Sequence, residues 1–174
     1  MNIRVEESTA EYVFAHWERV MVAVWRGRTT VSAVKRGEEV LQSLVKRRGE
    51  PVLLLTVVEP SAPLPPLEAR MELVGMLKRC AGNVERSALV FEGEGFRAAS
   101  VRAVVAGVSL FSRPVYPHRV FATVGAAARF LGAGGSPVPH LLIRAVRDMR
   151  RRPTNGTFVP WIPGALTEPS LRQR

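Results

Sequence analysis

Pro51-Val52-Leu53-Leu54-Leu55-Thr56-Val57-Val58-Glu59-Pro60 is the stretch that decides the fold class. Its core is almost unbroken in apolar character, rich in β-branched residues and bounded by a proline at each end. A strand with one wet face alternates, whereas a strand covered on both faces reads as a continuous hydrophobic run. The run is too short for a typical buried helix. It therefore predicts a central strand with helices on both faces of its sheet. In such sheets functional groups collect in the loop beyond the carboxyl ends of the strands, here Glu59 to Pro66.

Toward the N-terminus, Tyr12-Val13-Phe14-Ala15-His16-Trp17 alternates and reads as a first, edge strand. Glu18-Arg19 turns it into Val20-Met21-Val22-Ala23-Val24-Trp25, and so short a link predicts an antiparallel hairpin. Thr29 and Thr30 are good helix N-caps. Val31, Val34, Val40, Leu41, Leu44 and Val45 then recur at helical spacing. Gly37 weakens that helix by about 1 kcal/mol relative to Ala. Lys46-Arg47-Arg48 suits the C-terminal end of the helix dipole, and Gly49 stops the helix.

Toward the C-terminus, Pro65 or Pro66 is placed to be the first residue of a second helix, with Leu67, Met71, Val74, Leu77 and Ala81 as its apolar stripe. Ser87-Ala88-Leu89-Val90-Phe91 reads as a short buried strand. Glu92-Gly93-Glu94-Gly95 turns into a helix from Phe96 to Phe111, whose Val101, Val104, Val105 and Val108 face the sheet. His118 to Ala122 is a last strand, and Thr123 caps a short helix from Val124 to Leu131.

The order β-β-α-β-α-β-α-β-α over residues 12–131 predicts an α/β fold. Its single sheet is mostly parallel with an antiparallel N-terminal hairpin, about five strands and four helices, and right-handed crossovers. Residues 1–131 form the domain. Residues 132–174 add a Gly/Pro linker and an amphipathic helix with Val138, Leu141, Leu142, Ala145, Val146 and Met149 on one side. A proline-rich tail comes last, which docks through Phe158, Trp161 and Ile162 or stays disordered.

The net charge of +10 divides unevenly. Residues 1–131 hold 18 basic and 13 acidic side chains, while residues 132–174 hold 7 and 2, so the extension is the strongly basic part. Arg outnumbers Lys 22 to 3, which suits bidentate binding of carboxylate or phosphate and equally reflects codon bias. Asp148 is the sole aspartate, which argues against carboxylate-rich magnesium or calcium sites. One cysteine, Cys80, allows neither an intrachain disulfide nor a zinc cluster. The N-terminus lacks the apolar segment of a signal peptide, and no run approaches the ~20 apolar residues of a membrane span. The chain reads as cytoplasmic.

Three local patterns resemble the STAS-like superfamily, named for sulfate transporters and anti-sigma-factor antagonists. Val22-Ala23-Val24-Trp25-Arg26-Gly27 with Thr29-Thr30 is similar to its opening of a strand, Trp-x-Gly and a capped helix. Val52–Val58 occupies the place of its central strand. His118-Arg119-Val120-Phe121-Ala122-Thr123 leading into Ala126-Ala127-Ala128-Arg129-Phe130-Leu131 is similar to its ending. The resemblance implies a non-enzymatic regulatory module that binds a protein partner, in some members switched by phosphorylation in the loop after the central strand, in others linked to lipids or apolar ligands. The Asp-Ser/Thr-x-Gly pattern of the regulatory branch is absent. Ser61 is the loop's one hydroxyl and hence the candidate phosphosite.

No catalytic, cofactor or metal site emerges from the residues. His16, His118 and His140 lie far apart in sequence with no nucleophile elbow, so each reads as a half-buried or solvated polar residue and the protein as no enzyme. Cys80 reads as a small core residue. Glu92-Gly93-Glu94-Gly95 lacks the positive charge of a phosphate loop, and its acids fit a helix N-terminus. Glu59 and the cluster Arg144, Arg147, Arg150, Arg151 and Arg152 form the candidate interaction surface. These residues leave three function classes. The first is a regulatory module acting through an unknown protein partner or a homodimer. The second is a carrier with an apolar pocket between sheet and helices for a small lipid-like ligand. The third is a binder of nucleic acid or an anionic membrane through the C-terminal arginines. The space beyond Val58 separates the first two: an apolar cavity favours a ligand, a flat patch a partner.

Overall fold

The computed structural model describes residues 3–92, 95–112, 115–133 and 139–152. Its elements are β1 (Arg4–Ser8), β2 (Tyr12–Trp17), β3 (Val20–Trp25), α1 (Val31–Arg48), β4 (Val52–Val58), α2 (Leu67–Arg79), a 3-10 turn (Ala81–Asn83), β5 (Val84–Phe91), α3 (Gly95–Ser112), β6 (His118–Phe121), α4 (Val124–Leu131) and α5 (Pro139–Arg150). The strands form one sheet in the order β1-β2-β3-β4-β5-β6. β1, β2 and β3 pair antiparallel, and β3 through β6 pair parallel. The α/β class and the mixed sheet expected from the sequence are both present, with one strand more. Among the described residues no helix is long and apolar enough to cross a membrane, and none of their His, Cys, Asp and Glu groups is placed to hold a metal ion.

The additional strand is β1, which corrects the placing of Tyr12–Trp17 at the edge. Arg4-Val5-Glu6-Glu7-Ser8 alternates too weakly to announce a strand: Val5 is its one buried residue. β1 is held by pairing to β2 across a register shift between Val5 and Glu7. β2 is consequently internal and almost wholly buried.

Period-two alternation sends successive side chains of β3, β4 and β5 to opposite faces, and both faces are covered. On one, Val20, Val22, Val24, Leu53, Leu55, Val57, Ala88 and Val90 pack against Val124, Ala127, Ala128 and Leu131 of α4 and Leu142, Val146 and Met149 of α5. On the other, Phe14, Met21, Ala23, Trp25 and Leu54 meet Val34, Leu41 and Leu44 of α1 with Cys80 behind α2. The C-terminal helix thus puts its apolar side into the main core, where Leu142 and Met149 are fully buried.

Local signals set the helix ends. Thr30 Oγ1 accepts from Ala33 N at 3.1 Å to cap α1, and Gly49 closes it at φ 72° with its N–H on Val45 O. Thr123 caps α4 in the same way. Pro66 stands at the N-cap of α2 rather than inside it. The stripe expected on α2 holds at Val74, which is buried, and at Leu77, which faces the sheet side, and is corrected at its start. Leu67 and Met71 are 66% and 63% exposed, whereas Ala69 and Cys80 are buried. Apolar residues are spread over more than half of this helix, so several stripes fit the spacing. Leu73, Met76 and Cys80 pack on the core of this face, and Arg79 ties the helix to α1. Arg79 Nε and Nη2 donate to the two oxygens of buried Glu38 on α1 at 2.8 and 2.6 Å, and Nη2 also reaches Glu72.

The Trp25-Arg26-Gly27 corner is built on close backbone approach. The N–H groups of Arg26 and Gly27 both donate to Glu11 O, at 2.8 and 2.9 Å. A Cβ on Gly27 would lie 2.9 Å from Glu11 Cα and 3.2 Å from Ala10 O. Both obstacles are backbone and cannot rotate away. Gly27→Ala is expected to destabilise the protein by about 1–3 kcal/mol, the usual range for overpacking, read as a lower urea midpoint at unchanged slope.

Candidate functional site

The register lines up side chains in rows across the face that meets α1, α2 and α3. One row runs His16–Met21–Leu54–Ser87–His118, the next Phe14–Ala23–Thr56–Leu89–Val120, and the third Tyr12–Trp25–Val58–Phe91. The middle of these rows is short of volume, because Ala23, Thr56 and Ser87 lie together beneath the helices. Gly37 of α1 lets the Phe14 ring come close to the helix, since a Cβ there would stand 3.2 Å from that ring. On the opposite face the corresponding residues are Val22, Leu55, Val57 and Ala88, and the core there is filled.

The result is an apolar cavity of about 140 Å³ between the sheet and the three helices. Its walls include Leu41 from α1, Leu73, Met76 and Leu77 from α2, and Val101, Val104, Val105 and Val108 from α3. The four valines face the sheet as the α3 periodicity predicts. The end beyond Val58 is lined by Ala62, Pro63, Leu64 and Pro65, so the loop after β4 covers the cavity instead of presenting polar groups. Leu64 lines the space and is also 45% exposed, which places an entrance at this loop.

Two polar side chains meet within this wall. Ser87 Oγ and His118 Nδ1 lie 2.8 Å apart on neighbouring strands, and Ser87 is 3% exposed. Burial pushes the His118 pKa below its ordinary 6.5, toward the neutral imidazole. Sequence reading treats these residues singly. The parallel β5–β6 register that joins them depends on chain segments thirty residues apart and leaves no local signal. Elsewhere on this face, Cys80 is buried, and burial pushes its thiol up to about 11. Tyr116 beside it keeps a buried hydroxyl without a hydrogen-bond partner. His16 Nε2 is 3.0 Å from Glu6 Oε1 but off the line of a hydrogen bond, so neither ring nitrogen is satisfied. Burial, and then Arg47, lower its pKa against the opposing pull of Glu6. His140 is exposed.

The expected interaction surface divides. Arg150 turns inward and bridges two carboxylates at the carboxyl end of the sheet, with Nε 2.5 Å from Glu59 Oε1 and Nη2 2.8 Å from Glu92 Oε2. Glu92 Oε1 in turn accepts from Val124 N at the start of α4, so this acid serves the helix after β6. Arg152 contributes its carbonyl to Arg26 Nη1 at 2.9 Å. Arg147 and Arg151 are exposed, and Arg144 lies 4.0 Å from Asp148 on the same helix. Ser61 is exposed in the turn after Glu59. Gly93, Glu94 and residues 153–174, including Phe158, Trp161 and Ile162, lie outside the described residues.

No family model matches the chain, and no curated protein matches it. Among solved structures it is similar to an uncharacterized protein from the DUF3478 family with a SpoIIAA-like fold, from Shewanella loihica PV-4. That likeness covers 75% of this chain and 93% of the other, with 14% sequence identity and a TM-score of 0.44. The fold assignment rests on this chain's own strand order and register.

The lowered histidines give stability a pH dependence of known sign. The unfolded chain takes up protons at His16 and His118 near pH 6.5, and the folded chain takes them up only at lower pH. Below 6.5 the unfolded state therefore binds more protons, and stability falls as pH falls. The Glu38 carboxyl, held below its usual range by Arg79, acts in a lower window. Urea midpoints should decrease from pH 7 to pH 5, and His16→Gln with His118→Gln should flatten that segment of the profile.

Proposed function

We propose that this protein is a non-catalytic binding module that holds a small apolar ligand between its sheet and α1–α3. The observation that carries the reading is the cavity beneath Thr56 and Val58, lined by aliphatic side chains from three helices and the loop after the central strand and by Phe14 and Trp25 of the sheet. Small-molecule sites are characteristically concave, mostly apolar and furnished with a few polar groups. The described lining residues include no Asp or Glu to orient His118 as a base, which supports binding over catalysis. Arg150 and Glu59 satisfy one another, so the strongest charge cluster in the sequence contributes fewer open cations to nucleic acid or membrane than its count suggests.

Ligand that binds the folded state alone stabilises it by mass action, by about 2.7 kcal/mol at one hundred times the dissociation constant. Toluene, as a probe of cavity size, should raise the melting temperature and shift the amide resonances of β4, β5 and α3. Val105→Phe, which fills the cavity, should remove both responses while the variant stays folded. Absence of any response in the unaltered protein overturns the reading.

A second reading, a protein partner or a second copy at the same end, is favoured by Leu67 and Met71, which stand one turn apart and exposed on α2. Sedimentation equilibrium should then show a dimer that Leu67→Glu with Met71→Glu returns to monomer. A monomer at all concentrations counts against it for self-association.

A further inference from the structure

The cavity wall is not uniformly greasy, and its polar groups define what kind of ligand it selects. Ser87 and His118 lie side by side in one row of the sheet, and Thr56 is on the neighbouring strand, diagonal to Ser87. All three line the cavity, and no Arg, Lys, Asp or Glu is among the described residues that do. We propose that the cavity selects a neutral, single-ring ligand bearing one hydrogen-bonding substituent, which the Ser87–His118 pair engages. This rests on the apolar-ligand reading and specifies the ligand's chemistry.

Three observations support it. The first is hydrogen-bond capacity. A hydroxyl offers one donor and two acceptors, and a neutral imidazole one of each. Their single mutual bond at 2.8 Å leaves one donor and two acceptors over. The tautomer decides which ring nitrogen presents the donor, so the pair can answer a hydroxyl or a carbonyl on a guest. The second is charge. Burial holds His118 toward its neutral form, and the described residues of the wall supply no counter-ion, so a carboxylate or ammonium would be buried unpaired at a cost of several kcal/mol. The third is size. An apolar cavity of roughly 150 Å³ accommodates benzene, and this one is about 140 Å³. The space thus matches a single ring, with the polar pair in its wall.

Three probes of similar size separate these terms: toluene, phenol and benzoate, titrated at pH 7.5 into the full chain with amide resonances as the readout. Toluene and phenol should bind and benzoate should not. Ser87→Ala and His118→Leu should each weaken phenol about five- to tenfold, the loss of one net hydrogen bond, while toluene affinity stays within about twofold. Retained toluene binding also shows that each variant is folded. Toluene binding without phenol binding, phenol affinity indifferent to both substitutions, or benzoate binding as tightly as phenol overturns the proposal and leaves the cavity reading standing. If neither toluene nor phenol binds, both fall together.

Discussion

Everything in this fold derives from the burial of β4 on both faces. Val52, Leu53, Leu54, Leu55 and Val57 are each at most 5% exposed, and side chains of such a strand point alternately to two sides. Neither side can be left to water, so the sheet needs a helical layer above and another below. The chain supplies α1, α2 and α3 to one face and α4 and α5 to the other. Three crossovers from strand to parallel strand are enough for the first layer. The second must come from the chain after β6, and α4 has just eight residues. Leu142, Val146 and Met149 of α5 complete it, which makes that helix part of the core's architecture.

The arginines explain how α5 is held there. Arg150 spans Glu59, directly after β4, and Glu92, directly after β5. Arg26, directly after β3, donates to Ser8, Thr9 and the carbonyl of Arg152. The ends of three parallel strands are thereby tied to the end of one helix by charge-assisted bonds, which are about twice as strong as neutral ones. This is the end of the sheet at which α/β folds place their ligands. Here it is taken up with structure, and the open space lies under the helices instead.

How much of this could be read from the sequence depends on whether the signal was local. The hairpin at Glu18-Arg19, the caps Thr30 and Thr123, the stop at Gly49 and the run Val52–Val58 are decided within a few residues, and each stands where its sequence implies. β1 was illegible because it buries Val5 alone and exists by pairing with β2. The rotation of α2 was illegible because Leu67 and Met71 are as apolar as Leu73 and Met76, which pack on the core, and the bond from Arg79 to Glu38 joins two helices. The same limit hid the site. Ala23 and Thr56 share one row and Ser87 stands in the next, a grouping that exists when β3, β4 and β5 stand in register, and none of the three residues is unusual alone. The charges misled in a different way: Glu59 and Arg150 look like exposed partners for another molecule, yet they are partners for each other across 91 residues.

The unequal filling of the two faces has an energetic consequence. Unfilled volume in a core costs about 24 cal/mol per Å³, so a void of this size amounts to about 3 kcal/mol. Against a typical net stability of about 5–15 kcal/mol, that is a large concession. Replacing Ala23 by Val, or Gly37 by Ala, would reclaim part of it in volume alone. At Gly37 that change requires the Phe14 ring, 3.2 Å from where the methyl would be, to give way by a few tenths of an ångström, and that ring stacks on Tyr12 with centroids 4.3 Å apart. The aromatic cluster of Tyr12, Phe14 and Trp25 therefore fixes one wall, and the valines of α3, branched and short, set the other. A stiff wall facing short side chains keeps the space open where a softer core would collapse into it. A ring-sized guest that restored the missing contacts would recover part of the same free energy, so the void and the proposed affinity for such a guest would have one physical origin.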